Sequence, residues 1–442
     1  MFRAVDVILK KRDGQELTNG EIFTFIQKFT VGDIPDYQAA ALAMAIYFRG
    51  MTRREIVALT RAMAESGHVL DLSDIADYAV DKHSSGGVGD KTTLVVLPLV
   101  AACGVTVAKM SGRGLGFSGG TLDKLEAIRG YRVDLSEAEF RQQAREIGLV
   151  LCGQTSELAP ADGKLYALRD VTATVDSIPL IAASIMSKKL AAGARGIVLD
   201  VKYGSGAFMK TLDAARELAQ VMVQIGVDDG RDMIALLSNM NQPLGCMVGN
   251  ALEVREAIET LRGDGPQDLR LHCIETAAYM LALAGRGQRW TDHTENCALI
   301  EAKLMDGSGL ATLRRLVQAQ GGDVAMIDNP DLLPCAAHRV EVLAEDQGYA
   351  AFVDAVLVAK AALILGAGRE KKGDPIDPAV GVEVAVKVGD QVQMGQRLAV
   401  IHANNPALID EARSLIQQAV RLSPEPVEPM PLFAGVIDGR KS

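Results

Sequence analysis

Two glycine-rich segments constrain the fold of this chain more than any other feature of its sequence. Segment 109–126 reads KMSGRGLGFSGGTLDKLE and lies between a strand-like run, 105–110, and a helix-like run that starts at Thr121. Segment 82–93 reads KHSSGGVGDKTT and is of the same kind. Glycines let backbone N–H groups approach an oxyanion closely, and a helix N-terminus adds unpaired donors and a positive end. Together the segments predict an anion site built on strand-to-helix turns.

The kind of anion site is narrowed by what these segments lack. A single glycine-rich turn is as often a purely structural connection between a strand and a helix as it is a ligand site. Two such turns in one chain favour the ligand site. Neither segment is a P-loop, because no glycine is followed by Lys-Ser or Lys-Thr at the required spacing. Neither is a dinucleotide fingerprint with an acidic residue after the next strand. We therefore do not expect the anion to be held as in common nucleotidases or dehydrogenases.

Strand-like and helix-like runs alternate from residue 81 onwards, which predicts a mostly parallel sheet flanked by helices on both faces. Ligands in such sheets bind beyond the carboxyl ends of the strands, and both glycine-rich segments lie near such ends. Thr121 is expected to be the N-cap of the helix that follows the second segment. The predicted strands are 105–110, 149–152, 197–201 and 233–237, and the predicted helices are 122–128, 136–147, 181–192 and 212–225.

The two ends of the chain differ from this α/β pattern. The N-terminal stretch reads as helical, with capping boxes at Thr18–Glu21 and Thr52–Glu55. Short strands around glycine turns in 382–401 resemble the barrel-sandwich of biotinyl and lipoyl carriers. That stretch lacks the exposed lysine of a carrier hairpin, so we interpret it as structural. The predicted fold class is α/β with a separate all-helical domain and a C-terminal α+β, barrel-sandwich-like region.

Composition limits the class of partner. The 442 residues carry a net charge of −10, which argues against a nucleic-acid partner, since such proteins are usually basic. The six cysteines are scattered without CxxC spacing, which is typical of reduced residues in a cytoplasmic protein. The N-terminus has an early acidic residue and no apolar stretch, so no secretory signal is expected. The apolar runs are too short or interrupted to span a bilayer, so no membrane partner is expected.

Three stretches carry a resemblance to one family. Run 111–126 resembles the signature of the thymidine and pyrimidine nucleoside phosphorylases, and 81–93 resembles their other phosphate loop. Run 166–179, followed by Ser184 and Lys188-Lys189, resembles their base-binding stretch. The similarity covers nearly the whole chain, and 242–245 with 249–254 look closer to the broad-specificity pyrimidine enzymes.

The resemblance implies a domain arrangement and an activity. A discontinuous helical domain would comprise 1–66 and 161–192, and an α/β phosphate-binding domain would comprise 67–160 and 193–335. The C-terminal α+β region, 336–442, would pack on the α/β domain. The active site would lie in the cleft between the first two domains, and the subunits would form a homodimer through the helical domains. The implied activity is reversible phosphorolysis of pyrimidine nucleosides to free base and pentose 1-phosphate.

The resemblance also assigns site residues. Cations and hydroxyls suit a dianion whose oxygens each accept several hydrogen bonds. Ser184 and Lys188 are four apart on a predicted helix and so face one side, although a solvated helix face with Lys188 and Lys189 is the alternative. The implied catalytic residues are His83, Arg169 and Lys188; the phosphate contacts are Lys82, Ser84, Thr93, Lys109, Ser111 and Thr121; the base and sugar contacts are Arg169, Ser184, Lys188 and Tyr166.

His83 is implied to approach the pyrimidine carbonyl nearest the glycosidic bond and to donate a proton to it, a task that suits the ordinary histidine pKa. Phe117 and Ser118 stand where relatives commonly have His and Thr, which leaves the sugar preference open.

The chemistry implied by the resemblance requires no cofactor, but broad-specificity relatives bind a potassium ion. The matching positions here are Gly89, Lys91, Leu244, Met247 and Glu256. Lys91 departs from the family, in which a small uncharged residue is usual. An ammonium there would repel the ion or replace it.

Two other functions stay open. An anthranilate-type phosphoribosyltransferase shares this design but needs Mg²⁺ and an Asp-Glu pair, and no such pair lies near the predicted cleft. A non-enzymatic binding protein would need a broken site, whereas each core position is filled by a suitable residue.

Overall fold

The computed structural model describes residues 2–114, 119–154, 157–369, 371 and 373–441. The helices in these ranges are α1 (Ala4–Arg12), α2 (Asn19–Val31), α3 (Asp36–Arg49), α4 (Arg53–Ala64), α5 (Thr92–Ala102), α6 (Thr121–Leu125), α7 (Glu137–Ile147), α8 (Pro160–Asp170), α9 (Ile178–Ala191), α10 (Leu212–Asp228), α11 (Asn250–Leu261), α12 (Gln267–Ala284), α13 (His293–Met305), α14 (Ser308–Ala319), α15 (Ala325–Asp328), α16 (Ala355–Ile364) and α17 (Ile409–Ala419). The strands are β1 (Val80–Ser84), β2 (Val107–Ser111), β3 (Leu149–Gly153), β4 (Gly196–Tyr203), β5 (Asp232–Asn239), β6 (Met247–Val248), β7 (His338–Leu343), β8 (Gly348–Val353), β9 (Gly381–Val384), β10 (Gln391–Val392), β11 (Arg397–Ala403), β12 (Val420–Ser423) and β13 (Phe433–Asp438).

The N-terminal helices pack on a core of their own. The capping boxes predicted at Thr18 and Thr52 are confirmed: each hydroxyl accepts from the N3 backbone N–H, and the N3 glutamate accepts from the cap's own N–H. The apolar faces of α1–α4 enclose a core that includes the fully buried Phe29. Side chains of α8 and α9 belong to this same core, among them Leu165 and Leu180. The chain thus returns to the helical bundle after it has begun the sheet.

A six-stranded sheet in the order β13-β5-β4-β1-β2-β3 forms the centre of the molecule. Strands β1 to β5 pair in parallel, and β13 pairs antiparallel with β5. The mostly parallel sheet predicted from the alternating runs is therefore confirmed. The sequence pattern missed two strands: β1, which reads VDKHS and lacks a continuous apolar run, and β13, which comes from the C-terminal stretch.

The glycine-rich segments leave two neighbouring strands of this sheet. The first follows β1 and leads into α5, and the second follows β2 and leads into α6. Because β1 and β2 are adjacent and parallel, their carboxyl ends meet at one edge of the sheet. Helix α6 begins at Thr121 with Gly120 as its N-cap, so the predicted N-cap role of Thr121 is wrong by one position.

The C-terminal region consists of a three-stranded sheet, β10-β8-β12, and a four-stranded sheet, β6-β9-β11-β7. Strand β6 comes from the loop before α11 and pairs antiparallel with β9. The C-terminal region is therefore joined to the central part of the chain both by β6 and by β13. None of the helices in the described ranges is long and apolar enough to cross a bilayer.

Candidate active site

One cleft of about 450 Å³ lies where the two glycine-rich loops face helices α8 and α9. The structure places almost all of the site residues expected from the sequence on its walls. These are His83, Ser84, Thr93, Lys109, Ser111, Thr121, Tyr166, Arg169, Ser184 and Lys188.

The first glycine-rich loop is held by a carboxylate behind it. The Asp90 carboxylate accepts hydrogen bonds from the Ser84 hydroxyl and, at 2.6 Å, from the Thr92 hydroxyl. The Lys124 ammonium donates to the Asp90 carbonyl at 2.7 Å. Burial alone would raise the pKa of Asp90, but the charges of Lys202 and Lys82 nearby hold it far below its usual range. The loop is thus fixed by an ionised group that already has its own partners.

The second loop is held by Asp123. Its carboxylate accepts from the Gly114 backbone N–H at 2.7 Å and from the Arg369 guanidinium at 2.9 Å. Gly120 lies so close to the backbone of residues 113 and 114 that a Cβ there would collide with it. Arg369 belongs to the C-terminal region, so that region contacts the residue that holds the second glycine-rich loop.

Two lysines of the cleft share one buried carboxylate. The Asp81 carboxylate accepts from the Lys189 ammonium at 2.6 Å, and the Lys109 ammonium lies 3.6 Å from its other oxygen. Lys109 also donates to the Lys82 carbonyl. Burial lowers the pKa of Lys109 to about 7, with Asp81 opposing this and Lys189 and Lys82 reinforcing it. A negative charge that enters the cleft beside Lys109 would favour its protonated form.

His83 faces the same lysines. Burial lowers the pKa of His83 well below its usual value, and the charges of Lys189, Lys109 and Lys188 lower it further. The ordinary histidine pKa assumed from the sequence therefore does not apply to the free protein. In that state His83 is a neutral imidazole, which donates one N–H rather than carrying an extra proton.

The opposite wall is built by α8 and α9. Arg169 is buried and directs three N–H groups at the carbonyls of Thr174, Val175 and Leu180, at 2.7–3.2 Å. A guanidinium has five N–H donors, so within the described part of the chain two are left for a ligand. The Lys188 ammonium donates to the Ser184 hydroxyl at 2.9 Å and is paired with Asp162 of α8. Lys188 and Ser184 therefore stand side by side, as the four-residue spacing predicts.

Lys82 is the exception among the predicted phosphate contacts, because the structure does not bring its side chain to the cleft wall. The ammonium is fully buried, donates to the Thr92 hydroxyl and lies 3.6 Å from Asp200. The same Asp200 accepts from Lys202 at 2.6 Å and lies 3.0 Å from His272. Successive side chains of β1 point to opposite faces of the sheet, so Lys82 faces away from Asp81. Its direct contact with phosphate stays a prediction that this arrangement does not favour.

Two residues of the site carry no assignment from the sequence. Lys189 lines the cleft but reads in the sequence as a solvated neighbour of Lys188, whereas it is buried against Asp81. Asp81 begins the first motif and reads as part of a polar loop, yet it is fully buried in β1. One sequence signal could have pointed to the buried pair of Asp81 and Lys189. Asp81 is a charged residue that directly follows the apolar residues Ala79 and Val80. Phe117 and Ser118 lie outside the described residues.

The residues that match the family's potassium site do come together, but around an ammonium. Lys91 is buried and donates to the carbonyls of Leu244, at 3.0 Å, and Met247, at 2.8 Å. It is also paired with the Glu256 carboxylate. Gly89 lies beside the same carbonyls. These residues do not fit a potassium ion, because a second positive charge would have to share oxygens that already bind Lys91.

A helical bundle that faces an α/β domain across this cleft is the architecture of a glycosyl transferase family, and the family models that match the chain show that class. Three family models match consecutive parts of the chain. They are the helical bundle domain of a glycosyl transferase family over residues 5–67, the α/β domain of that family over 76–310, and the pyrimidine nucleoside phosphorylase C-terminal domain over 349–423.

Curated relatives narrow the class to one family. The chain is 51% identical to the pyrimidine-nucleoside phosphorylase of Geobacillus stearothermophilus, over 97% of this chain and 98% of that protein. It is 52% identical to the pyrimidine-nucleoside phosphorylase of Staphylococcus aureus strain MSSA476, over 94% of this chain and 95% of that protein. The chain belongs to the pyrimidine-nucleoside phosphorylase family.

The architecture is shared more widely than the sequence. A crystal structure of anthranilate phosphoribosyltransferase from Thermus thermophilus superposes with a TM-score of 0.59 at 21% identity. The match covers 71% of this chain and 99% of that one. At that identity the likeness concerns the fold alone.

Proposed function

We propose that this protein catalyses the reversible phosphorolysis of thymidine, deoxyuridine and uridine to the free base and the pentose 1-phosphate. The observation that carries the proposal is the cleft between loops rich in anion donors and a helical wall that holds Arg169, Ser184 and Lys188. Membership of the pyrimidine-nucleoside phosphorylase family supports the same reaction. No redox step occurs in it, and we expect no cofactor to be needed for the chemistry.

Phosphate binds at the loops. Ser111 and Thr121 supply hydroxyls and Lys109 supplies the charge, and Thr93 adds a donor at the start of α5. Ser84 adds a further donor when its hydroxyl turns from Asp90 to the phosphate. Phosphate held there acts as the nucleophile at C1′ of the sugar. It also provides the negative charge that stabilises the positive charge developing on the sugar ring. The loops thus contribute by positioning and by electrostatics.

The base binds at the helical wall. As the glycosidic bond breaks, negative charge grows on the pyrimidine carbonyls, and the free N–H groups of Arg169 and the ammonium of Lys188 stabilise it. His83 also lines the cleft and donates a hydrogen bond to the nearest carbonyl as a neutral imidazole. Tyr166 packs beside the base or sugar. The base leaves as an anion whose charge these donors stabilise, and it becomes the free base by taking up a proton from solvent.

A direct assay tests the proposal. Thymidine, uridine and cytidine are incubated side by side with and without phosphate, and release of free base is followed by the change in absorbance. We expect phosphate-dependent loss of thymidine and uridine, and Lys188→Met to lower kcat/KM by about 10²-fold or more. Lys164→Met is the matched control, because Lys164 lies on α8 but outside the cleft wall, and it should keep its activity.

The same assay separates the rival reaction. Release of pyrophosphate from phosphoribosyl pyrophosphate with Mg²⁺, without any loss of thymidine in the presence of phosphate, would establish a phosphoribosyltransferase instead.

We also propose that the protein works in the cytoplasm as a homodimer that contacts its partner through the helical domains. Helix α3 supports this assembly, because an apolar stripe at 37, 41, 44 and 48 lies on its outer side. Tyr37 and Phe48 in this stripe are 73% and 75% exposed. Large apolar side chains at helical spacing on a surface are typical of an interface.

A further inference from the structure

We propose that the ammonium of Lys91 is a built-in monovalent cation, which makes the fold and activity of this enzyme independent of potassium. The inference concerns the cage of backbone carbonyls and the Glu256 carboxylate around Lys91. Its effect on activity rests on the function proposed above, whereas its effect on stability does not.

The cage satisfies every donor of the ammonium. An ammonium has three N–H groups, and here they meet the carbonyls of Leu244 and Met247 and the carboxylate of Glu256. Burial alone would lower the pKa of Lys91, but Glu256 and Glu253 more than offset it and raise the pKa above its ordinary value. The lysine is therefore charged throughout the physiological range.

The space around the ammonium is closed. A Cβ added to Gly245 would lie 3.0 Å from the ammonium nitrogen, and one added to Gly89 would lie 3.4 Å from it. Lys91 itself is only 1% exposed. A hydrated or bare cation would have to displace the lysine to reach the same oxygens.

The cage ties together three parts of the chain that shape the active site. Lys91 lies near the end of the first glycine-rich loop (the first anion loop) and is the N-cap of α5. The Leu244 N–H donates to the Val88 carbonyl at 3.1 Å, so the 244–247 loop also contacts the anion loop through its backbone. Glu256 of α11 accepts from the Cys246 N–H at 2.8 Å, and Met247 begins β6, which pairs with the C-terminal β9. Lys91 is thus a positioning residue for the first anion loop.

Replacing Lys91 should turn a protein that does not need potassium into one that does. Wild type and Lys91→Thr are prepared in choline chloride, and thermal unfolding and phosphorolysis are measured in choline chloride and in potassium chloride at equal ionic strength. We expect the Tm and kcat of wild type to be the same in both salts. In choline, Lys91→Thr should show a Tm lowered by several degrees and reduced kcat, because Glu256 is left buried and unpaired. Potassium should restore most of both.

Lys11→Thr is the matched control. Lys11 is also buried and paired with a buried glutamate, Glu55, at 2.8 Å, and both of its hydrogen bonds go to that carboxylate rather than to backbone carbonyls. Lys11→Thr should have a lower Tm than wild type in choline chloride, and potassium chloride should not restore it. If Lys91→Thr does not fold in choline, refolding in potassium chloride gives the same answer.

Two results would overturn the inference: a wild-type enzyme whose Tm or kcat requires potassium, or a Lys91→Thr variant that responds equally to choline and potassium. Failure of all variants and wild type to cleave nucleosides would instead reject the proposed function, while the unfolding data would still decide the role of Lys91.

Discussion

At the scale of single residues, the charges of the active site are set by carboxylates whose partners the sequence motifs do not reveal. Asp81 lies between Lys109 and Lys189, and Asp200 lies between Lys82 and Lys202. A sequence motif can show which lysines resemble phosphate ligands. It cannot show which of them a distant aspartate withdraws from the cleft, because the partners of a buried charge are brought together only by the folded sheet.

The lowered pKa of Lys109, about 7, predicts that phosphate binding takes up a proton in mildly alkaline solution. At about pH 8 the Lys109 amine is mostly neutral in the free protein, and a bound dianion raises its pKa so that it gains a proton. Affinity for the phosphate dianion should therefore fall as the pH rises from about 8 to 9, since more of the free protein must first be protonated. Titration calorimetry of phosphate binding in buffers of different ionisation enthalpy measures this uptake.

Two variants identify the group that gains the proton. Lys109→Arg keeps its charge at every accessible pH, so proton uptake should disappear if the variant still binds phosphate. His83→Ala should keep the uptake. Binding by wild type without any uptake, or uptake lost only in His83→Ala, would assign the titrating group elsewhere.

At the scale of elements, the sheet can be predicted from the sequence wherever strands are apolar, and it is missed where they are not. Strands β2 to β5 are mostly apolar, although Lys109 interrupts β2 and Asp200 and Lys202 lie in β4, and each of these strands is predicted. Strand β1 contains Asp81 and Lys82, whose burial is possible only because oppositely charged groups of other elements surround them. Strand β13 joins the main sheet from a stretch far along the chain, and local pattern carries no information about such pairing.

Two glycines of the second glycine-rich loop, Gly120 and Gly112, should differ sharply in how well they tolerate substitution by alanine. Gly120→Ala would push a methyl group into the backbone at residues 113 and 114 and toward Asp123, so the loop has to shift. We expect a loss of about 1–3 kcal/mol in stability and weaker phosphate binding, because Asp123 and the Gly114 N–H no longer hold the loop in place. Thermal unfolding and phosphate titration measure the two effects.

Gly112→Ala is the control within the same loop, because an added Cβ there meets no atom of the described residues within 4 Å and requires no unusual backbone angle. Its Tm should stay close to that of wild type. Equal losses of Tm in both variants would mean that the loop tolerates no side chain anywhere, and the close approach at Gly120 would not be the cause.

At the scale of the whole molecule, the fold class and the cleft follow from the sequence, whereas the joining of the domains does not. The family resemblance leads us to expect a C-terminal region that packs on the α/β domain, and it does not say how the two are joined. In the structure it exchanges strands with it: β6 enters the C-terminal sheet, and β13 enters the central one. Arg369 of the same region contacts Asp123, which holds the second glycine-rich loop. The C-terminal region therefore supports the active site and is not an appendage.

The apolar stripe on α3 predicts how the molecule assembles. Phe48→Glu places a charge in the proposed interface, where burying it unpaired would cost several kcal/mol, while the monomer tolerates it because Phe48 is 75% exposed. Sedimentation should show a dimer for wild type and a monomer for Phe48→Glu. The Tm of the variant should also depend less on protein concentration than the Tm of wild type does. The control is Val171→Glu, because Val171 is 78% exposed at the end of α8 and lies outside the stripe. If Val171→Glu dissociates the protein and Phe48→Glu does not, the interface lies at the end of α8 and the α3 stripe has another role.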